Sequence, residues 1–149
     1  MKTRLLVLTA VAVAFMFAAI PVRAHHSFAA EYDVNQPLTL KGTLSKMEWV
    51  NPHGWIYVDV KGADGKVTTW AVEAGAPNAL LKRGLRASDF PVGKEVVVDG
   101  YRAKDGSATA NGLTVKFPDG RNFFMGTQGN GAPPAPAGAG GEYDTKDTK

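Results

Sequence analysis

Between Pro37 and Met125 the apolar residues recur mostly at every second position, the spacing of strands with one buried face. Leu38, Leu40 and Leu44 alternate with Thr39, Lys41 and Thr43; the phase then slips so that Met47 and Trp49 follow, which predicts a bulge. Asn51-Pro52-His53-Gly54 interrupts the run and reads as a turn. In a second strand Ile56, Val58 and Val60 alternate with Trp55, Tyr57 and Asp59. Ala63-Asp64-Gly65 predicts a hairpin into a third strand, with Trp70 and Val72 on one face and Thr69, Ala71 and Glu73 on the other. After Gly75 the period lengthens: Pro77 suits the first turn of a helix, Ala79, Leu80 and Leu81 continue it, and Gly84 is placed to end it. Strand spacing returns with Val96, Val98 and Tyr101, turns at Asp105-Gly106 and resumes through Leu113, Val115 and Phe117. A last hairpin at Pro118-Asp119-Gly120 leads to Phe123 and Phe124.

The expected fold is therefore all-β with one short helix. Three strands, a helix and two strands, with a bulged first strand, is the order of a small five-stranded OB-like Greek-key barrel. A flat meander carrying the helix on one face fits the same order.

The ends of the chain follow other rules. Lys2 and Arg4, an apolar run from Leu5 to Ile20, and Pro21-Val22-Arg23-Ala24 match the three regions of a secretory signal peptide, so residues 1–24 are expected to be removed after Ala24. The alternative, a retained anchor, suffers because the run falls short of the roughly 20 residues that span a bilayer. The expected location is periplasmic or secreted, with no membrane span after cleavage. Gly126 to Gly141 is nearly all Gly, Ala and Pro, and the last residues are polar and charged, so residues 127–149 are expected to form a disordered tail. One domain, residues 25–126, remains between them.

Charge and cysteine content narrow the field. The chain has 17 basic and 14 acidic residues, but Lys2, Arg4 and Arg23 belong to the leader, so the mature domain is balanced. It lacks the electrostatic footprint that a phosphate backbone demands, and no nucleic-acid partner is expected. There is no cysteine, so no disulfide staples the core. Ser27, Ser45, Ser88 and Ser107 have no nucleophile motif around them, and no phosphate-cradling glycine loop appears, so enzymatic activity is not the expectation.

The chemistry-bearing residues are few. Cleavage after Ala24 would make His25 the first residue and His26 the second; the remaining histidine, His53, lies in the first turn. A terminal histidine offers a metal both its α-amine and its imidazole in a six-membered chelate, and a further imidazole from His53 would complete a three-nitrogen histidine brace. Copper stands at the top of the divalent affinity order and favours such tetragonal nitrogen sites. The same residue types fit a plainer account, in which a terminal His-His pair binds copper as any peptide would and His53 only faces water. Among the aromatics, Trp49, Trp55, Tyr57 and Trp70 are enough for a ligand platform. Alternation sets Trp55 and Tyr57 opposite Ile56 and Val58, making these two the candidates for an exposed ligand surface. Glu48 and Glu73 are read as solvated strand carboxylates, and the three Asp-Gly turns as ordinary hairpin chemistry. Two readings result. In one, the protein binds a metal ion through His25, His26 and His53, with copper the sole cofactor implied. In the other, it is a non-enzymatic envelope module that binds a peptide, glycan or small ligand around Trp55 and Tyr57.

The stretch His25-His26-Ser27-Phe28-Ala29-Ala30-Glu31-Tyr32-Asp33, with Trp49-Val50-Asn51-Pro52-His53 and later Gly75-Ala76-Pro77 and Leu81-Lys82-Arg83-Gly84, resembles a family of small exported bacterial proteins of unknown function. The resemblance covers roughly residues 25 to 121. It implies that the family's histidine pair and turn histidine fall on His25, His26 and His53, and that residues 25 to 33 belong to the domain.

Overall fold

The computed structural model describes residues 27–126 and 131–133. Its elements are a one-turn helix α1 (Phe28–Glu31), β1 (Tyr32–Glu48), β2 (Trp55–Lys61), β3 (Val67–Glu73), helix α2 (Pro77–Lys82), a 3₁₀ turn (Ala87–Asp89), β4 (Glu95–Ala103), β5 (Thr109–Lys116) and β6 (Asn122–Phe124).

β1 is long enough to pair antiparallel with two partners. Its C-terminal half runs against β2, and Pro37 to Thr43 run against β4. The slip in apolar phase is a real irregularity: the β1–β2 register shifts between Leu44 and Lys46. β2 and β3 form a tight hairpin whose turn contains Gly65 at φ 81°, a left-handed conformation that costs glycine little. The beginning of β5 pairs parallel with the end of β3, while its length pairs antiparallel with β4. Five strands therefore form a ring in the order β1-β2-β3-β5-β4, and β6 continues along the rim of β5 where β3 leaves off.

The inward faces meet in one core. Leu40, Leu44, Ile56, Val58, Val72, Val96, Val98 and Val115 line it, and Leu80 of α2, Phe90 and Met125 close its ends. Helix α2 begins with Pro77 in its first turn and is followed by Gly84 at φ 85°, as the pattern predicts.

The protein is mostly β with only short helices, as expected. Two details differ. There is a sixth strand, because three residues after the Pro118-Asp119-Gly120 turn are enough to pair with β5. There are also helical turns beyond the one expected, α1 and the 3₁₀ turn, each too short to leave a readable period. The proposed leader, residues 1–24, lies outside the described residues, as does most of the proposed tail. Within that tail segment, Ala132 packs against Phe28, Tyr32 and Ala103. No helix among the described residues is long and apolar enough to cross a membrane.

Candidate functional site

The site is built where β3 ends. Trp55 and Glu73 are register partners across the β2–β3 pair, so the residue just before Trp55 lies beside the end of β3. Gly54 fixes this closely: its N–H donates to the Gly75 carbonyl at 3.1 Å, and its carbonyl accepts from Ala74 at 2.8 Å. The Asn51-Pro52-His53 turn is thereby anchored to β3, and His53 Nδ1 meets the Glu73 carboxylate through Oε1.

Strand alternation puts Glu73 on the outward face, yet it is only 5 % exposed. Two elements cover it. The parallel β3–β5 pairing sets Asn111 directly opposite, and the Asn111 side-chain amide donates to Glu73 Oε2 at 3.3 Å. From the amino-terminal side, Tyr32 at the start of β1 brings its phenol close to the same carboxylate. Burial, then the interaction with Glu73 and its negative charge, push the Tyr32 phenol well above its ordinary value.

Tyr32 is held in place by packing. Phe28 of α1 lies 5.7 Å from its ring, centroid to centroid, and meets Tyr101 edge-on at 5.5 Å. Phe28, Tyr32 and Ala103 form a small apolar cluster outside the ring, separate from the main core. An uncompensated buried carboxylate would be strongly destabilising; here an imidazole, an amide and a phenol surround it. Asn111 contributes one more polar atom, Oδ1, which is buried and has no hydrogen-bond partner among the described residues.

Of the residues singled out in the sequence, His53 sits at this carboxylate, 24 % exposed. His25 and His26 lie outside the described residues, immediately before the segment that carries Phe28 and Tyr32. Among the described residues no group of three or more His, Cys, Asp or Glu is placed to hold a metal. Trp55 and Tyr57 are partly exposed on the outward face of β2, whereas Trp49 and Trp70 pack against the main core. Tyr57 donates to Glu48 at 3.1 Å and lies under the Lys46 ammonium. Glu48 is a partly exposed strand acid, paired with Lys46 and Tyr57 rather than standing alone. Glu73 is not, and that reading is corrected: it is buried, with Asn111 of β5 opposite it and Tyr32 beside it, which strand period cannot anticipate. Tyr32 and Asn111 were missed for the same reason. The one signal was Asn111 itself, an amide inside the otherwise apolar-leaning Ala110 to Val115 run.

These features define a small, mostly β domain with a buried carboxylate on its outer face that receives a turn histidine and an amino-terminal tyrosine. The chain belongs to a family of unknown function (DUF6152), whose model matches residues 13–114. No curated protein and no solved structure matches the chain.

Proposed function

We propose that this protein is exported, loses its leader after Ala24, and binds a metal ion, with copper the first to test, in the periplasm. His25 supplies its α-amine and imidazole, His53 a second imidazole, and His26 is either a ligand or lies beside them. One observation carries the reading: the His53 turn and the segment that follows His25 and His26 converge on a single buried carboxylate, Glu73. Ser27 is the first described residue, and Phe28 and Tyr32 tie the chain just after it to the face that holds His53. A chain advances at most about 3.6 Å per residue, so His25 and His26 are tethered close to Ser27.

The test is a Cu(II) titration of protein whose first residue is shown by mass spectrometry to be His25, in competition with the free peptide His-His-Ser-Phe-Ala. The protein is expected to outcompete the peptide, His53→Ala to reduce it to peptide strength, and one alanine added before His25 to weaken it by removing the terminal amine as a ligand. Native protein that binds no more tightly than the peptide would overturn the proposal.

A second reading is favoured by the partial exposure of Trp55 and Tyr57 on the outward face of β2. It makes the domain an envelope module that binds a peptide, glycan or small ligand there, with the histidines only ordering the start of the chain. In that case Trp55→Ala abolishes retention of the envelope ligand, and an added amino-terminal alanine leaves retention intact.

A further inference from the structure

We infer that a cleft on the outer face of β1, β4 and the end of β5 binds a small zwitterion with an apolar body, of the class of free α-amino acids with hydrophobic side chains. It lies toward the other end of β4 from Tyr101 and the Glu73 patch, and it owes nothing to the metal reading.

Strand register builds the cleft. Lys41 pairs with Val97 across β1 and β4, and Val97 pairs with Lys116 across β4 and β5, so the three side chains form one row on the outward face. Two residues before Val97, Glu95 stands opposite Thr43 and therefore diagonal to Lys41. Lys41, Glu95, Val97, Lys116, Phe117 and Pro118 line an open cleft of about 250 Å³. Pockets for drug-sized ligands begin at about 300 Å³, so the occupant is small. The Phe117 end of the wall is held in place: its N–H donates to the Arg121 carbonyl at 2.9 Å, and the Arg121 guanidinium lies 4.8 Å from its ring while donating to Asp119 at 2.9 Å.

Charge selects the class of ligand. The Lys116 ammonium is already answered by Asp99 at 2.9 Å, so what it offers the cleft is its alkyl stem. Lys41 and Glu95 differ from it. Diagonal positions on neighbouring antiparallel strands are about 7–8 Å apart, within reach of long side chains. Among the described residues, however, neither Lys41 nor Glu95 makes a side-chain hydrogen bond or ion pair, with the other or with any other group. One ammonium and one carboxylate thus line the same cleft unmatched. A lone anion would be repelled by Glu95, a lone cation by Lys41, and a neutral molecule would leave both without a partner. An α-amino acid carries both charges on one carbon and satisfies the two together, and its apolar side chain lies against Val97, Phe117 and Pro118.

The experiment titrates the isotope-labelled protein, as recovered from cells, with phenylalanine, leucine, glycine, N-acetylphenylalanine and phenylalaninamide, and follows backbone amide chemical shifts. A chelator is present throughout, so that complexes of amino acids with metal ions do not contribute. Phenylalanine and leucine are expected to give saturable shifts at Lys41, Val97, Lys116 and Phe117 with a dissociation constant of about 1 mM or below. Glycine lacks the apolar body and each blocked derivative lacks one charge, so each should bind about 10-fold more weakly. Lys41→Met should erase the preference for phenylalanine over its amide and keep the preference over the acetyl derivative. Glu95→Gln should do the reverse. Both positions are exposed, and unchanged shifts away from the cleft show that each variant keeps the fold. The inference is overturned if no shift at these residues saturates up to about 10 mM, if the blocked derivatives bind as well as phenylalanine, or if both substitutions leave the preferences intact. Saturable shifts centred on Trp55 and Tyr57 instead would overturn it in favour of the β2 surface.

Discussion

The interior of the ring and the patch on its outer face share strands β3, β4 and β5 but are assembled by different physics. Inside, Leu44, Ile56, Val58, Val72, Val98 and Val115 are fully buried aliphatic side chains from alternating positions. Their attraction is non-directional and grows with the area removed from water, so many apolar combinations would serve. Outside, Phe28, Tyr32 and Ala103 form a small cluster of their own, and beside Tyr32 lies Glu73 with its partner Asn111, two polar residues at 5 % and 1 % exposure. Such groups are tolerated only in specific hydrogen-bonded geometries, which makes the patch poor as a source of stability and well suited to hold an imidazole in one orientation. The interior carries the fold, and the patch is where the metal site proposed above would lie.

The largest effect that would separate the two comes from Leu44→Ala. Truncating this fully buried side chain should lower unfolding free energy in urea by about 3 kcal/mol, within the range of such core cavities. Cu(II) affinity of the molecules that remain folded should stay within about twofold, because Leu44 belongs to the interior cluster and Glu73 and His53 do not. A parallel collapse of affinity would show that the two regions are not independent.

Phe28→Ala should reverse that balance. The patch lies at the surface and can relax, so the stability loss should be about 2 kcal/mol, below the usual figure for a core phenylalanine. Cu(II) affinity should fall clearly, since the ring that holds Tyr32 against Glu73 is gone.

Tyr32→Phe should be milder, about 1 kcal/mol for one polar contact with a buried carboxylate, read from urea unfolding at neutral pH. It also predicts a pH signature. The phenol is raised in the fold, so its contribution is complete below the unfolded value of about 10 and is lost as pH climbs above it, where the unfolded chain releases the proton first. Wild type should therefore lose stability more steeply than Tyr32→Phe as pH rises from about 10 to about 11. Equal slopes would mean that the phenol is not buried against Glu73.

Asp99→Asn supplies the smallest effect and a control on a third surface. Asp99 accepts from Thr39 at 2.8 Å, Thr114 at 3.1 Å and Lys116 at 2.9 Å. Partial burial opposes its ionisation, but the Lys116 and Thr39 hydrogen bonds and the Lys116 charge outweigh it and hold the carboxyl below its ordinary value. A depressed carboxyl contributes above the unfolded value of about 4, and that contribution disappears as pH falls through the folded value. Asp99→Asn should cost about 0.5 kcal/mol at pH 7 and flatten the acid limb of a stability profile, with Cu(II) binding untouched.

How legible all this was varies by residue. Leu40, Leu44, Ile56, Val58, Val72, Val98 and Val115 announce themselves by period two, and each is buried in the structure. The bulge after Leu44 was visible as a phase slip, and the start of α2 at Pro77 as proline chemistry. His53 stood out as a histidine in a turn. Its partner did not: Glu73 occupies a position that alternation assigns to solvent, and Tyr32 and Asn111 are 41 and 38 residues from it along the chain. Their meeting depends on the parallel β3–β5 pairing and on α1 folding over the outer face, contacts between segments whose local patterns carry no record of one another.

By itself the amino-acid sequence determined a mostly β domain, its core face and its turns, because each of these follows from local periodicity or from the covalent nature of single residues such as proline and glycine. Only the tertiary structure decided that a strand carboxylate would be buried and that a turn imidazole, an amide and an amino-terminal phenol would share it. Burial on the outward face of a strand is set by what packs over it, and here that cover comes from residues distant in the chain.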